Sequence, residues 1–525
     1  MLNKTHFFLL LLVLPVWVIA QQDKQYWVQF TEKNKDASAF ENPFSLLSPR
    51  AIERRAAQSI SFDALDLPVN EDHIASLNAP QIHVVSRWLN AVLVSGIDSA
   101  RISKMPFVTH ISPRIPMRKH ISDAGFTYGQ SALQVEMLKG DVIHNRGYTG
   151  QGVLIAVFDG GFNNAQNIPA LAHLWQNNQI KGIYSFVNQD TNIFFPGSHG
   201  THVLSVLAAK DDGVFVGTAP DADYWLFMTE DEVREVNAEE YNWLAAAEMS
   251  DSLGVDVINS SLGYSLFDPG QISYTLGDLD GQTSIVSQAA QFAARKGMLV
   301  VNSAGNSGSD PVWQKIQMPA DADSVLAVGA VNPNRSRALF SSIGPTVDGR
   351  IKPDLMALGS QARYLTTSGF PTQGNGTSFA SPLVAGLAAC LRQAYPHHSA
   401  ENLRQTILQS CDQYLTPDSL VGHGIPDFDI AVNNIVSVDA YGEDNKPYVY
   451  PNPANDLINV KWHESFTPSH ARIFDVSGTL IETHELPLNL QRLEIDVRHL
   501  SDGAYFIHLY NNHKAYVQKF IKHGE

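Results

Sequence analysis

Three short stretches of this chain put reactive residue types where a fold would need them. In Val157-Phe158-Asp159-Gly160-Gly161 an apolar run ends in a carboxylate and two glycines. That sets Asp159 at the carboxyl end of a strand, although Asp-Gly taken alone is a common turn. In His199-Gly200-Thr201-His202-Val203 an imidazole opens a helical stretch, and Gly200 allows close approach of other groups. In Gly376-Thr377-Ser378-Phe379-Ala380-Ser381-Pro382 a hydroxyl stands where a helix begins. Backbone N–H groups and the helix dipole there favour developing negative charge, though an ordinary Ser N-cap would look the same in isolation. Together the three make a nucleophile, a base and an orienter. Serine is a weak nucleophile until a histidine accepts its proton, and the histidine needs a carboxylate to fix its tautomer and stabilise the imidazolium. The chemistry implied is acyl transfer through Ser378, with His199 as base and Asp159 orienting it.

Such chemistry also needs donors for an oxyanion. The stretch 301–308, Val-Asn-Ser-Ala-Gly-Asn-Ser-Gly, follows an apolar run and offers two amides, Asn302 and Asn306. His199 and His202 are three apart, but there is no HExxH pattern and no third ligand, so no metal is assigned. The acidic run Glu230-Asp231-Glu232, with Glu235, reads either as a solvated loop or as a preference for basic substrate residues.

The elements that position these residues form an alternating pattern. Apolar runs of strand length lie at 153–158, 224–228, 255–259, 298–302 and 325–331, with helical stretches at 202–209, 241–250, 285–296 and 383–393. Apolar strands alternating with helices predict an α/β fold, a doubly wound parallel sheet covered on both faces. In such folds the chemistry lies beyond the carboxyl ends of the strands, where Asp159 falls.

The flanks differ. Residues 1–20 carry Lys4 and His6 ahead of an apolar run and end Val18-Ile19-Ala20, a signal-peptide pattern with cleavage after Ala20. The run is short for a membrane span, and no later segment is long and apolar enough. Residues 21–118 read as a small α+β unit with strands at 26–30, 82–94 and 108–112 and helices at 48–58, 71–77 and 99–105. Residues 438–447 are a polar linker, and 448–525 hold short alternating strands with turn signals, a β-sandwich pattern. The net charge of −17 excludes a nucleic-acid binder, which needs clustered Lys and Arg. Cys390 and Cys411 are the only cysteines, and a bridge and two buried thiols both remain open.

Residues from about 124 to 437 resemble a subtilisin-like serine protease, a subtilase. The His199 and Ser378 stretches match that family's signatures in full, and the order Asp, His, Ser is the family's. The Asp159 stretch matches with one departure, Gly160 in place of the usual Ser or Thr. The resemblance implies the catalytic triad Asp159, His199 and Ser378, with Asn306 as oxyanion donor beside the Ser378 N–H. It implies substrate-binding walls at Ser261-Leu262-Gly263 and Ser303-Ala304-Gly305, which would pair with an extended peptide. Calcium is common in the family, but no ligand loop can be traced, so no cofactor is assigned. An esterase would instead carry G-x-S-x-G, and a degenerate, non-catalytic relative would lack one of these residues.

The segment 21–118 is similar to the inhibitory propeptides of secreted subtilases, with a cut expected between Pro116 and Asp123. The tail, through Tyr450-Pro451-Asn452-Pro453-Ala454, Ile473-Phe474-Asp475-Val476-Ser477-Gly478 and Leu500-Ser501-Asp502-Gly503-Ala504-Tyr505-Phe506, resembles the type A sorting domain of the type IX secretion system. That implies a Bacteroidetes-type bacterium, a chain secreted or held at the outer-membrane surface, partnership with the secretion machinery and with protein substrates, and removal of the tail on arrival. The whole then reads as a secreted serine endopeptidase made as a precursor and numbered 119–437 in its peptidase part.

Overall fold

The computed structural model describes residues 25–33, 42, 44, 46–58, 60–114, 128–195, 197–232, 234–396, 398–434, 447–462, 466–487, 490, 492–511 and 514–523. The expected signal peptide, the expected cut between 116 and 123, and the linker up to residue 446 lie outside them.

The N-terminal unit is an antiparallel sheet of β1 (Gln25–Phe30), β2 (Gln81–Ser86), β3 (Ala91–Ser95) and β4 (Val108–Arg114), in the order β2-β3-β1-β4. Helix α1 (Pro49–Ala57) begins at Ser48, whose side chain accepts the Ala51 N–H, with Pro49 at the first position where no N–H is missed.

The central unit is a seven-stranded parallel sheet of β5 (Leu154–Asp159), β6 (Ile180–Ser185), β7 (Asp223–Met228), β8 (Val257–Ser260), β9 (Leu299–Ser303), β10 (Val325–Val331) and β11 (Leu355–Leu358). Their order is β11-β10-β9-β8-β5-β7-β6. The apolar runs read from the sequence are its middle strands; β6 and β11, at the two edges, were not anticipated. Period-two alternation divides β5 between two cores: Ile155 and Val157 face one layer, Leu154, Ala156 and Phe158 the other. The first layer holds α2 (His199–Ala208) and α5 (Thr377–Ala394), through Val203, Leu204, Leu383 and Leu387. The second holds α3 (Ala238–Leu253) and α4 (Ile285–Arg295), through Trp243, Leu244, Ala289 and Ala293. Burial on both faces is why these strands are nearly all apolar. Cys390 and Cys411 are both free and buried, and burial pushes both thiols up.

The C-terminal unit has two antiparallel sheets around one core. One joins β12 (Tyr448–Tyr450), β13 (Leu457–Lys461) and β16 (Arg492–Asp496). The other joins β14 (His470–Asp475), β15 (Leu480–Glu485), β17 (Gly503–Tyr510) and β18 (Ala515–Lys522), in the order β15-β14-β17-β18. Ile458, Val460, Ile473, Ile507 and Phe520 fill the space between.

The N-terminal unit touches both neighbours. Against the central unit it buries an ionic network: Arg55 pairs with Asp66 at 2.8 Å and with Asp251 of α3 at 2.6 Å, Arg54 also reaches Asp251, and Lys296 reaches Asp66 at 3.0 Å. Against the C-terminal unit, Ala51, Ile52 and Phe62 share an apolar cluster with Phe506, Tyr510 and Val517. Phe62 and Ala515 exchange backbone hydrogen bonds, and Glu53 pairs with Lys519.

Candidate active site

Asp159 is the last residue of β5 and is fully buried. His199 is the first residue of α2, with 33% of its side chain exposed. Its Nδ1–H donates to Asp159 Oδ1 at 2.7 Å, and the same oxygen accepts the Gly160 N–H at 2.8 Å. An ionised carboxylate only accepts, so this contact fixes the tautomer that leaves Nε2 free of a proton in the neutral ring. Burial works against the imidazolium, but Asp159 and, behind it, Glu232 and Glu230 outweigh that and lift His199 to about 9.

Ser378 is half-buried, the second residue of α5. Its Oγ donates to the Ser261 carbonyl at 3.2 Å, and no hydrogen bond joins it to His199. Hydrogen bonds between a nucleophile and its base tighten when substrate binds. Pro382, four residues on, has no N–H to offer the Ser378 carbonyl. The Ser261 hydroxyl fills that place at 3.0 Å and also meets Ser381 Oγ at 3.0 Å. The proline of the motif therefore ties the serine turn to the end of β8.

The first-turn donors of α5 have different fates. The Thr377 N–H goes to Asn306 Oδ1 at 2.8 Å, and the Phe379 N–H to the Gly376 carbonyl at 3.2 Å. The Ser378 N–H has no such partner. Asn306 Oδ1 also accepts the Thr377 hydroxyl at 3.0 Å, so both of its known contacts are on oxygen and its NH₂ is uncommitted. Asn302 is fully buried, and its NH₂ is spent on the carbonyls of Leu262, at 2.9 Å, and Ser303, at 2.7 Å.

A cavity of about 630 Å³ opens beside His199. Of the six expected wall residues only Leu262 lines it; Ser261, Ser303, Ala304 and Gly305 are buried and Gly263 is half-buried. Glu230, Asp231, Glu232 and Glu235 also line it, so the acidic run faces the site rather than only solvent. Glu230 accepts a hydrogen bond from the Tyr264 hydroxyl; burial first, then Glu235, pushes its carboxyl up to about 8. His202 packs its ring against Tyr364, centroids 4.7 Å apart. Among the described residues, no three His, Cys, Asp or Glu side chains group as a metal ion would require.

The sequence reasoning missed Glu232 as a neighbour of His199. Its Oε1 accepts the His199 N–H at 2.6 Å. The available signal was the missing side chain at Gly160.

The sequence matches a known family over more than half the chain. Residues 150–424 match the family model described as the subtilase family. This chain belongs to the subtilase family. Residues 25–124 match a peptidase S8 propeptide domain of Bacteroidota, and 448–523 a secretion system C-terminal sorting domain. Subtilisin NAT of Bacillus subtilis subsp. natto is 32% identical over 345 residues, covering 65% of this chain and 80% of the relative. Subtilisin DY of Bacillus licheniformis is 33% identical over 275 residues, covering 52% and 88%. Among solved structures, that of MycP1 with its N-terminal propeptide removed covers 59% of this chain and 98% of its own, at 25% identity and a TM-score of 0.46. The subtilase is thus a secreted serine endopeptidase, made with a propeptide whose removal activates it and exported under a sorting domain in a Gram-negative bacterium. Protein substrates and a secretion machinery are its partners. No helix among the described residues is long and apolar enough to cross a membrane.

Proposed function

We propose that Ser378, His199 and Asp159 are this subtilase's triad. Ser378 Oγ exchanges its hydrogen bond to Ser261 for one to His199 Nε2, attacks the scissile carbonyl and gives its proton to that nitrogen. His199 passes the proton to the leaving amine, and the acyl group stays on Ser378 until water, activated by the same imidazole, releases it. Asp159 holds the ring and faces the imidazolium at each transfer. The oxyanion is met by the Ser378 N–H and the Asn306 NH₂. What favours Asn306 over Asn302 is that the Asn302 amide is already committed to two carbonyls. The mechanism calls on no cofactor, and no calcium site is assigned.

The observation that carries this reading is the 2.7 Å contact of His199 with a fully buried Asp159, at the carboxyl end of the sheet and beside a cavity. An extended peptide would lie against 261–263 and 303–305. The peptidase part would begin near residue 119, after a signal peptide of 1–20 and a propeptide of 21–118, and be followed by a linker at 438–447 and a sorting domain at 448–525 that addresses the type IX machinery. A fluorophosphonate serine probe tests the assignment on mature protein, wild type beside Ser378→Ala. Labelling only of the wild type is expected. Equal labelling of both, or none of correctly processed wild type, overturns it.

A further inference from the structure

Two features of the sequence remain unexplained by the triad: a glycine directly after Asp159, and an acidic run placed at the mouth of the site. The structure joins them. A Cβ added at Gly160 would stand 2.4 Å from Glu232 Cγ, closer than such atoms approach. A Cβ added at Gly197 would meet the Gly160 carbonyl at 2.0 Å and Glu232 Oε1 at 2.9 Å. Glu232 thus occupies the volume that a side chain after Asp159 would fill. From there its Oε1 accepts the His199 N–H at 2.6 Å. Helix α2 otherwise has no side-chain cap, since Ser198 makes no such bond. A carboxylate at a helix N-terminus is favoured by the dipole as well as by the hydrogen bond.

We infer that Glu232 is a positioning residue of the triad: it caps the helix that begins at His199, locks that residue against the end of β5, and holds a second carboxylate next to the imidazole.

The inference rests on His199 being the general base. Several charged groups line the cavity beside the ring: Asp159 from β5, Glu230, Asp231, Glu232, Arg234 and Glu235 from the segment after β7, and Asp268 from the loop beyond β8. His202 and Tyr364 line the same cavity, and Tyr264 reaches it through its bond to Glu230. Acids outnumber the one cation, Arg234, so removing one carboxylate lowers the imidazole's proton affinity without abolishing its rise. Glutamine at 232 keeps an acceptor for the His199 N–H and loses the charge. Alanine loses both.

The test compares mature wild type, Glu232→Gln and Glu232→Ala, each titrated for active sites with the fluorophosphonate probe, across the pH profile of kcat and kcat/KM on a soluble peptide. Wild type should show an acid limb near 9, the value its surroundings give His199. Both variants should move that limb down, so that activity at pH 7 relative to the plateau rises by about three- to tenfold, because each pKa unit is a factor of ten. The plateau kcat should be about tenfold lower for alanine than for glutamine, since only alanine removes the cap. Limbs that superimpose on wild type, or equal plateaus for the two variants, overturn the inference. Failure of the underlying reading looks different: wild type itself would show no acid limb.

Discussion

Arg55→Met, made in the Ser378→Ala precursor, should loosen the propeptide by about two decades in affinity. Arg55 is fully buried between the propeptide and α3. Its guanidinium donates to Asp66 at 2.8 Å and to Asp251 at 2.6 Å. Breaking a buried pair costs roughly 3–5 kcal/mol when the remaining charge is stranded. Here neither carboxylate is stranded. Asp66 keeps Lys296 at 3.0 Å, and Asp251 keeps Arg54 and, at 3.4 Å, Arg87. The cost therefore falls just below that range, about 2.7 kcal/mol, which is a hundredfold in Kd. Trypsin can nick the inactive precursor in the expected junction, after Arg118 or Lys119, and native mass spectrometry after serial dilution then reports how much propeptide stays bound. Arg50→Met is the control. Arg50 pairs with Asp256, but its side chain is 39% exposed, so the loss should be at most about 1 kcal/mol. If Arg55→Met holds its propeptide as well as Arg50→Met does, the buried network is not what secures the zymogen.

Asn306→Ala should lower kcat by about 10²–10³ with little change in KM, as removal of one oxyanion donor does, measured by steady-state kinetics on a peptide amide; Asn302→Ala should instead act on thermal stability, because its amide ties two backbone carbonyls. Glu230 is raised by burial to about 8 from an ordinary 4.5, so the folded protein keeps a proton that the unfolded chain has released, and stability falls as pH rises through that window. Glu230→Gln in the inactive precursor should therefore melt at the same temperature as its parent near pH 4.5 and about 2–4 °C higher at pH 9 by calorimetry; a constant difference across pH would refute the sign. Glu53→Cys with Lys519→Cys, replacing the ion pair between propeptide helix and sorting-domain edge, should cross-link in the intact precursor with a short bismaleimide, which spans the two side chains' combined length, while Cys390 and Cys411 stay unreactive because they are buried. Two labelled but unlinked thiols would show that the two units are not joined there.

Much of the central sheet was legible because its strands are buried on both faces and so are apolar without interruption, as at 325–331. The edges were not. β6 reads Ile-Lys-Gly-Ile-Tyr-Ser, and its glycine is there because the Trp225 ring of β7 stands where a Cβ would be, 2.1 Å away. β11 is four residues, Leu-Met-Ala-Leu, with no β-branched side chain to mark it, and tertiary burial alone makes it a strand. The triad could be read because each member sits at the end of an element that has its own local pattern. Its supports could not. Whether Asn302 or Asn306 has a free amide depends in part on the Leu262 carbonyl, 40 residues back in the chain.

Gly160 shows where that boundary lies. As sequence it is only an absence, a motif position with no hydroxyl, and it leaves the triad intact. As structure it is a vacancy of defined size, filled by a carboxylate that arrives from the segment after β7 and takes the His199 N–H, 33 residues back along the chain. A local motif thus records what a site has given up, but only the fold shows which distant residue has taken the place. Gly160→Ser puts the two readings in conflict. If a hydroxyl were merely missing, adding it would help or be neutral. Because Glu232 stands 2.4 Å from the new Cβ, the substitution should displace the cap and lower kcat, and pairing it with Glu232→Ala should remove the steric part of that loss.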